Sequence, residues 1–439
     1  MSLEYQVSET VSVETINSEF TKYIQFNFSR MRIKDIHIEN YRGLQKVALE
    51  ELSPNINLIV GINGAGKSSI LDAVSLVLSW FIARVQTKGG RGKDIPLEDI
   101  AYGSRSGCLI KLDLNNFGKW ELFRSKAYNK ERKSYLEDIT KYAAQLRYEL
   151  DLIPQFPLPL VVHYGVNRNV SNTNAEGNRK LPDKAQLEVY KNALNGNVNF
   201  IDFFQWFRNE EDYENEIRIE KKDFRDPALE TIRKALEMAL PEFSDLKVSR
   251  KKKALVVRKN GKEFQINQLS DGEKVYITLI CDIARRLAIA NPSGNALHGE
   301  GIVLIDEIDL HLHPQWQLNV VSNLERTFPN IQFLMSSHSP IVASDTNGKV
   351  FGIKNGDIIT ERTYGKLSED ILSYVFGVSN ARSPYIQQLI KHSYELIETG
   401  DFECFEENIK TLSKFIGADD LAISMLKLEK LRRERYPKS

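Results

Sequence analysis

The segment Gly61-Ile62-Asn63-Gly64-Ala65-Gly66-Lys67-Ser68 constrains this chain more than any other, because it fits the pattern G-x-x-x-x-G-K-S. Asn57-Leu58-Ile59-Val60 before it reads as a short buried strand, and Ser69-Ile70-Leu71-Asp72-Ala73-Val74 after it opens a helix with apolar residues at helical spacing. A glycine-rich turn that enters a helix aims backbone N–H groups at phosphate oxygens. Gly61, Gly64 and Gly66 allow positive φ and close backbone approach. In such a loop Lys67 lays its charge on the β- and γ-phosphates and the Ser68 hydroxyl is a ligand of Mg²⁺. The predicted nucleotide contacts are Asn63, Gly64, Ala65, Gly66, Lys67, Ser68 and Ser69, with ATP and Mg²⁺ as cofactors.

Three further elements are spaced as partners of that loop. The apolar run Ile302 to Ile305 reads as a central parallel strand ending in Asp306, a candidate Mg²⁺ ligand with Ser68. Glu307 follows, aimed the other way by strand alternation, and is the candidate general base for an attacking water. Leu269-Ser270-Asp271-Gly272-Glu273 precedes a helix that begins near Val275. Ser270 and Glu273 satisfy a capping box, and Ser270, Gly272 and Glu273 with the helix N-terminus also make a second anion site. His338 follows a strand-like run, Ile331 to Met335, and is the candidate γ-phosphate contact. In His311-Leu312-His313-Pro314 the two histidines stand at i and i+2 with no cysteine nearby, which disfavours a zinc set; its place after the acidic pair resembles the loop that contacts the opposite subunit in ABC-type dimers, which implies such a contact here.

Loop, L-S-x-G-E segment, acidic pair and histidine, in that order, resemble the ABC-type ATPases of the RecF/SMC/OLD group. Ile33 to Leu44, with Asn40-Tyr41-Arg42, is similar to their opening strand. Leu269 to Lys274, Asp282 to Ala288, Gly299-Glu300-Gly301, Leu310 to Pro314, Tyr164 to Arg168 and Phe204 to Phe207 resemble the PtuA-type ATPases of Septu and retron antiphage systems. The resemblance touches most of residues 31–423. It implies an α/β P-loop head with an antiparallel β portion, a helical insert and a C-terminal helical region. It implies two heads that close face to face, each completing the other's ATP site, in a homo-oligomer that is at least a head-to-head dimer. It implies a role in bacterial antiviral defence, a partner HNH nuclease of the PtuB kind acting on DNA, and, in retron versions, a reverse transcriptase and its msDNA. The alternative is a RecF-like ATPase acting directly on DNA in repair or recombination. Two departures stand out. No glutamine occupies the usual Q-loop place, leaving Asn167 or Gln155 as substitutes, and His313 stands where many ABC-type ATPases have aspartate. Slow turnover and a switch-like role are the expectation.

Composition sets outer bounds. With 439 residues the chain can bury a large core, and 59 basic against 59 acidic residues give no global field toward nucleic acid. No run approaches about 18 continuous apolar residues, so no membrane span is expected. Cys108, Cys281 and Cys404 are far apart in sequence and fit reduced thiols, and a cytoplasmic location is expected.

Along the chain, residues 1–30 read as an extension, 31–128 and 243–362 as the ATPase head, 129–242 as an inserted, largely helical subdomain, and 363–439 as a helical region suited to partner docking. Leu109 to Arg124 reads as a hairpin turned at Asn115 to Gly118, and a second hairpin turns at Asn260-Gly261. Arg250, Lys251, Lys252 and Lys253 read equally as phosphate contacts or as a lysine-guarded strand edge. The tail lacks the carboxylate cluster of a nuclease centre. Its apolar stripe of Ile386, Leu389, Ile390 and Leu396 is left to either core packing or a partner.

Overall fold

The protein is described by a computed structural model over residues 30–104, 107–125, 133–166, 185–196, 200–354, 356–377 and 382–435. Residues 1–29 of the expected extension at 1–30 and the Q-loop candidate Asn167 lie outside the described residues. The chain divides into two compact units, Met1–Ile371 and Leu372–Ser439, and each is described by itself.

In the first unit, β1 (Ile33–Tyr41) and β2 (Leu44–Leu49) pair antiparallel. β3 (Ile56–Gly61) is buried at every position and runs into the glycine-rich loop and α1 (Lys67–Gln86). β4 (Cys108–Leu114) and β5 (Gly118–Arg124) form the expected hairpin, which extends the first pair into a sheet of order β2-β1-β4-β5. α2 (Glu137–Leu152) packs on α1, with Phe81 and Tyr142 stacked at 5.3 Å between ring centroids. β6 (Leu160–Tyr164) follows, then a 3₁₀ turn (Ala185–Tyr190), α3 (Phe200–Glu220) and α4 (Pro227–Ala239). Asp226 caps α4 by accepting the Ala228 and Leu229 N–H groups. β7 (Phe243–Ser249), β8 (Ala254–Lys259) and β9 (Lys262–Gln265) make a small antiparallel sheet. Its second turn has Asn260 and Gly261 at φ 47° and 79°, the left-handed pair that a two-residue hairpin demands.

α5 (Asp271–Ala290) leads to β10 (Gly301–Ile305), then α6 (Pro314–Gln317), α7 (Val320–Thr327), β11 (Ile331–Ser337), α8 (Pro340–Asp345) and the closing strands β12 (Lys349–Lys354) and β13 (Asp357–Glu361). The central sheet has the order β13-β12-β3-β11-β10-β6, all parallel except β13. β3, β10 and β11 are buried at every residue, as strands covered on both faces must be. Within the interval 129–242, β6 hydrogen-bonds to β10 as an edge strand of the main sheet, and the helices around it make up the rest of the insert.

Parallel register decides where the chemistry lies. Ile305 pairs with Met335 and Val60 with Ser337, so the loops after β10, β11 and β3 leave the same edge of the sheet. α1 is long and apolar enough by composition alone to cross a membrane. It is instead a core helix, buried along Ile70, Leu71, Val74, Val77, Leu78 and Phe81.

The second unit holds helices Pro384–Thr399, Phe402–Ile416 and Leu421–Arg435. Ile386 and Leu396 of the predicted stripe join Ile397, Phe405, Ile409, Leu412, Ile423 and Leu426 in one buried cluster, and Leu389 and Ile390 pack against it. The stripe thus makes the unit's own core. Phe405 is fully buried there, so Phe405→Ala is expected to destabilise this unit by about 3–5 kcal/mol. Hydrogen exchange over residues 384–435 checks it, and protection equal to the unchanged chain would contradict the packing.

Candidate nucleotide site

The loop after β3 is built for close approach. Gly64 and Gly66 have φ of 78° and 101°, both left-handed. A Cβ on Gly66 would also fall 2.5 Å from Cδ2 of Leu44, so the tip of the β1–β2 hairpin seats against the loop. Arg42, in that tip, donates to Asp72 of α1 at 2.5 Å and through Nε to Asp99 at 3.0 Å, pinning the small sheet to the helix. The first turn of α1 carries no acidic residue, which leaves its N-terminal N–H groups to an anion.

Lys67 is only 4% exposed, and its ammonium donates to the carbonyls of Gly61 at 2.9 Å and Ile62 at 3.1 Å. Burial pulls its pKa below the ordinary lysine value, against the raising pull of Asp306, Glu307 and Asp309. The same ammonium lies 3.2 Å from Nδ1 of His338. Because an ammonium only donates, Nδ1 accepts and the ring proton sits on Nε2. That Nε2 points at Oε1 of Glu307, 3.5 Å away. The backbone N–H of His338 donates to Asp309 Oδ1 at 3.3 Å.

β10 ends at Ile305, so strand alternation does not separate the two acids. A left-handed residue does: Glu307 has φ 49°, a strained value for a side chain with a Cβ. Ser336 holds the turn in place. Its hydroxyl donates to Asp306 Oδ1 at 2.5 Å and accepts the Glu307 N–H at 2.8 Å. The Asp306 N–H donates to the Tyr164 carbonyl at 2.7 Å. Asp306 is 5% exposed, beside Lys67 and the start of α1, where it and the exposed Ser68 could share a hard cation. The glycine loop, the acid-free helix start and the buried lysine beside a carboxylate fit a magnesium–triphosphate.

The second anion site forms apart from the first. Ser270 caps α5: its N–H and hydroxyl each reach Glu273 Oε2 at 2.8 Å, and its Oγ accepts the Glu273 N–H at 3.4 Å. Lys259 pairs with the Glu273 carboxylate. Burial would raise that carboxyl's pKa, but Lys259 and the Ser270 donors outweigh it and hold the group below its usual range. A cavity of about 770 Å³ opens over Ser270, Gly272 and Glu273, shared with His311, His313 and Trp316 and with none of residues 61–69. A Cβ on Gly272 would sit 2.1 Å from the His311 carbonyl oxygen, so this glycine lets α5 lie against the loop after the acidic pair. Gly272→Ala is expected to leave ATP binding intact and to lower turnover at least about tenfold, measured as binding and phosphate release on the same sample. Unchanged turnover would show that the contact does not matter.

Other expectations resolve individually. Gln155 precedes the N-terminal end of β6, whereas the phosphate loop lies at the C-terminal edge of the same parallel sheet, so Gln155 does not serve the site. His313 caps α6, its Nδ1 accepting the Gln315 N–H at 3.2 Å. In the basic run, Arg250 pairs with Asp212 at 2.7 Å and Lys252 with Glu263 at 3.0 Å, leaving the exposed Lys251 and Lys253 for any phosphate. Sequence reasoning missed Ser336, Asp309 and the Arg42 clamp. Only Asp309, two residues past Glu307, carried a local hint.

Comparison with known proteins gives this geometry its relatives. A family profile described as "AAA domain, putative AbiEii toxin, Type IV TA system" matches residues 56–344, from β3 into α8. The chain is 31% identical to the retron Ec83 probable ATPase of Escherichia coli, over 92% of this chain and 88% of that protein. It is 30% identical to the retron Vc95 probable ATPase of Vibrio cholerae, over 86% of each. It is 25% identical to the Septu protein PtuA of Bacillus thuringiensis, over 86% of this chain and 92% of that protein. With the phosphate loop, acidic pair and capped second anion site all inside the matched span, the chain belongs to this AAA-domain family, as an ATP-binding and ATP-hydrolysing P-loop ATPase related to the retron probable ATPases and to Septu PtuA.

Proposed function

We propose that this chain is the ATP-driven switch of an antiphage defence system, working as a head-to-head dimer that holds and releases a partner HNH nuclease acting on DNA. The observation that carries the proposal is the separation of the two anion sites. The Ser270–Glu273 cavity contains no residue of the phosphate loop, which supports an arrangement in which an ATP held by Lys67 meets that site on a second copy of the chain. Similarity to relatives named for retrons and for Septu supports the defence reading. In a retron setting the partners would include a reverse transcriptase and its msDNA.

Within one composite site, Asn63 to Ser69 would bind the triphosphate, and Ser68 and Asp306 would hold Mg²⁺, which would supply charge neutralisation. Glu307 takes the proton of the attacking water. His338, with its proton on Nε2, orients Glu307 while Lys67 occupies Nδ1. When Lys67 turns to the phosphates, Nδ1 is freed and the histidine can reorient toward the γ-phosphate. The second copy adds Ser270 and the α5 N-terminus, with Glu273 bracing that cap. The C-terminal helical unit is the proposed nuclease dock. Its predicted stripe is consumed in its core, so the available face is the exposed Leu421, Met425 and Leu428 of the last helix, at i, i+4 and i+7.

Co-expression with the adjacent open reading frame, followed by native mass measurement with and without ATP–Mg²⁺, tests this. A stable complex containing a small HNH protein supports it. A lone ATP-dependent dimer that binds DNA without a partner removes the nuclease-switch reading.

A further inference from the structure

A second cavity, of about 500 Å³, opens beside the C-terminal half of α5, at the opposite end of that helix from Ser270. Its volume suits a small molecule or one long side chain. Leu150, Leu187, Trp206 and Ile289 give it apolar walls, and its charged groups are Glu188, Glu210 and Arg285. Two of the three are already neutralised. Glu188 pairs with Lys191 at 3.3 Å, and Arg285 donates to Asp282 Oδ1 through Nε at 3.0 Å and Nη2 at 2.5 Å. Among the described residues, no cation pairs with Glu210. Burial raises its pKa and the neighbouring Asp226 raises it further. One helical turn away on α3 stands Trp206, so a carboxylate and an indole face the same apolar space. An aromatic face and a lone acid in an apolar cavity are the chemistry of organic-cation recognition.

The wall of this cavity is bonded to the nucleotide site. Asp282, which anchors Arg285, is 3% exposed and accepts the Tyr164 hydroxyl at 2.9 Å and Arg286 Nε at 2.8 Å through its other oxygen. The Tyr164 carbonyl in turn holds the N–H of Asp306 at 2.7 Å. The route from cavity to acidic pair thus runs Arg285, Asp282, Tyr164, Asp306, and α5 itself carries the cap at Ser270.

We propose that this cavity is an effector site for an organic cation, an ammonium or guanidinium on an apolar body, whose occupancy is passed along Arg285, Asp282 and Tyr164 to Asp306. The cation could be a free amine or a lysine or arginine side chain presented by another polypeptide. Binding stands without the ATP reading. The coupling rests on it, and a titration with ATP alone tests that reading separately. By linkage, a cation that shifts ATP affinity must have its own affinity shifted by ATP to the same degree.

The test is calorimetric titration of the full chain with phenethylammonium, its uncharged analogue 2-phenylethanol, and acetyl-lysinamide. Saturable binding of a cation is expected, at least about tenfold weaker for the alcohol and for Glu210→Gln, a difference of about 1.4 kcal/mol. Ala228→Trp, which places bulk at the partly exposed cavity wall, should abolish it and keeps the proposal testable if Glu210→Gln folds poorly. Tighter binding of phenethylammonium supports a free amine, and tighter binding of acetyl-lysinamide supports a polypeptide side chain. Absence of saturable binding by either cation, or equal affinity for alcohol and ammonium, overturns the site. Saturating phenethylammonium should shift ATP affinity at least about threefold in the unchanged chain and not in Tyr164→Phe, which removes only the hydroxyl link. An ATP affinity unmoved by the cation overturns the coupling.

Discussion

Lys67→Ala is expected to weaken ATP binding by about two orders of magnitude or more. The ammonium is 4% exposed and held between the Gly61 and Ile62 carbonyls and His338. Burial has lowered its pKa against the pull of Asp306, Glu307 and Asp309, so an arriving polyanion meets a cation already largely stripped of water. Hydrogen bonds to charged groups contribute about 1.5–3 kcal/mol each, and two to the β- and γ-phosphates make about 3–6 kcal/mol. At about 1.4 kcal/mol per decade, that is a factor of at least about 100. The alanine variant also frees the two loop carbonyls, so its thermal unfolding must be recorded beside a fluorescent-nucleotide titration. A folded variant that binds ATP within threefold of the unchanged chain would falsify the assignment of this loop to the phosphates.

The features legible in the sequence were the local ones. The glycine loop, its flanking strand and helix, and the Ser270–Glu273 box each depend on residues within a turn or two, where spacing and residue type decide conformation. The same holds for the Asn260-Gly261 hairpin. Ser336 was not legible, because its role arises only from the register that sets β11 beside β10 and brings its hydroxyl under the Asp306–Glu307 turn. Glu307 was read as a strand residue. The strand stops at Ile305 and the glutamate is left-handed, a property that tertiary contacts impose and residue preference opposes. Gln155 was open as a candidate until the direction of β6 was known, since a parallel sheet has one chemical edge. The apolar stripe of the tail had two readings of equal pattern, and only the facing Phe405 and Leu412 decided between them.

Glu307→Gln is expected to lower hydrolysis by about two to four decades and to leave ATP-bound dimers standing. The substitution keeps shape and removes basicity. What fixes the residue is its backbone, through φ 49° and the N–H bond to Ser336 at 2.8 Å, and glutamine preserves both. The His338 Nε2–H can still meet a side-chain oxygen at this position and the phosphate loop is untouched, so nucleotide affinity should change little. With binding intact and proton abstraction lost, ATP that bridges Lys67 of one copy and Ser270 of the other has no fast route to ADP, so the closed dimer accumulates. Size-exclusion with light scattering, run with ATP–Mg²⁺ alongside a phosphate-release assay, reads both quantities on one preparation. A dimer fraction and a turnover equal to those of the unchanged chain would remove Glu307 from catalysis and, with it, the composite site. Loss of turnover without dimer accumulation would keep the base and reject closure across two copies. Adding Gly272→Ala to Glu307→Gln separates these cases, because its clash with the His311 carbonyl falls at the second anion site and outside the phosphate loop that binds ATP. If closure runs through that site, the double variant stays monomeric with ATP still bound.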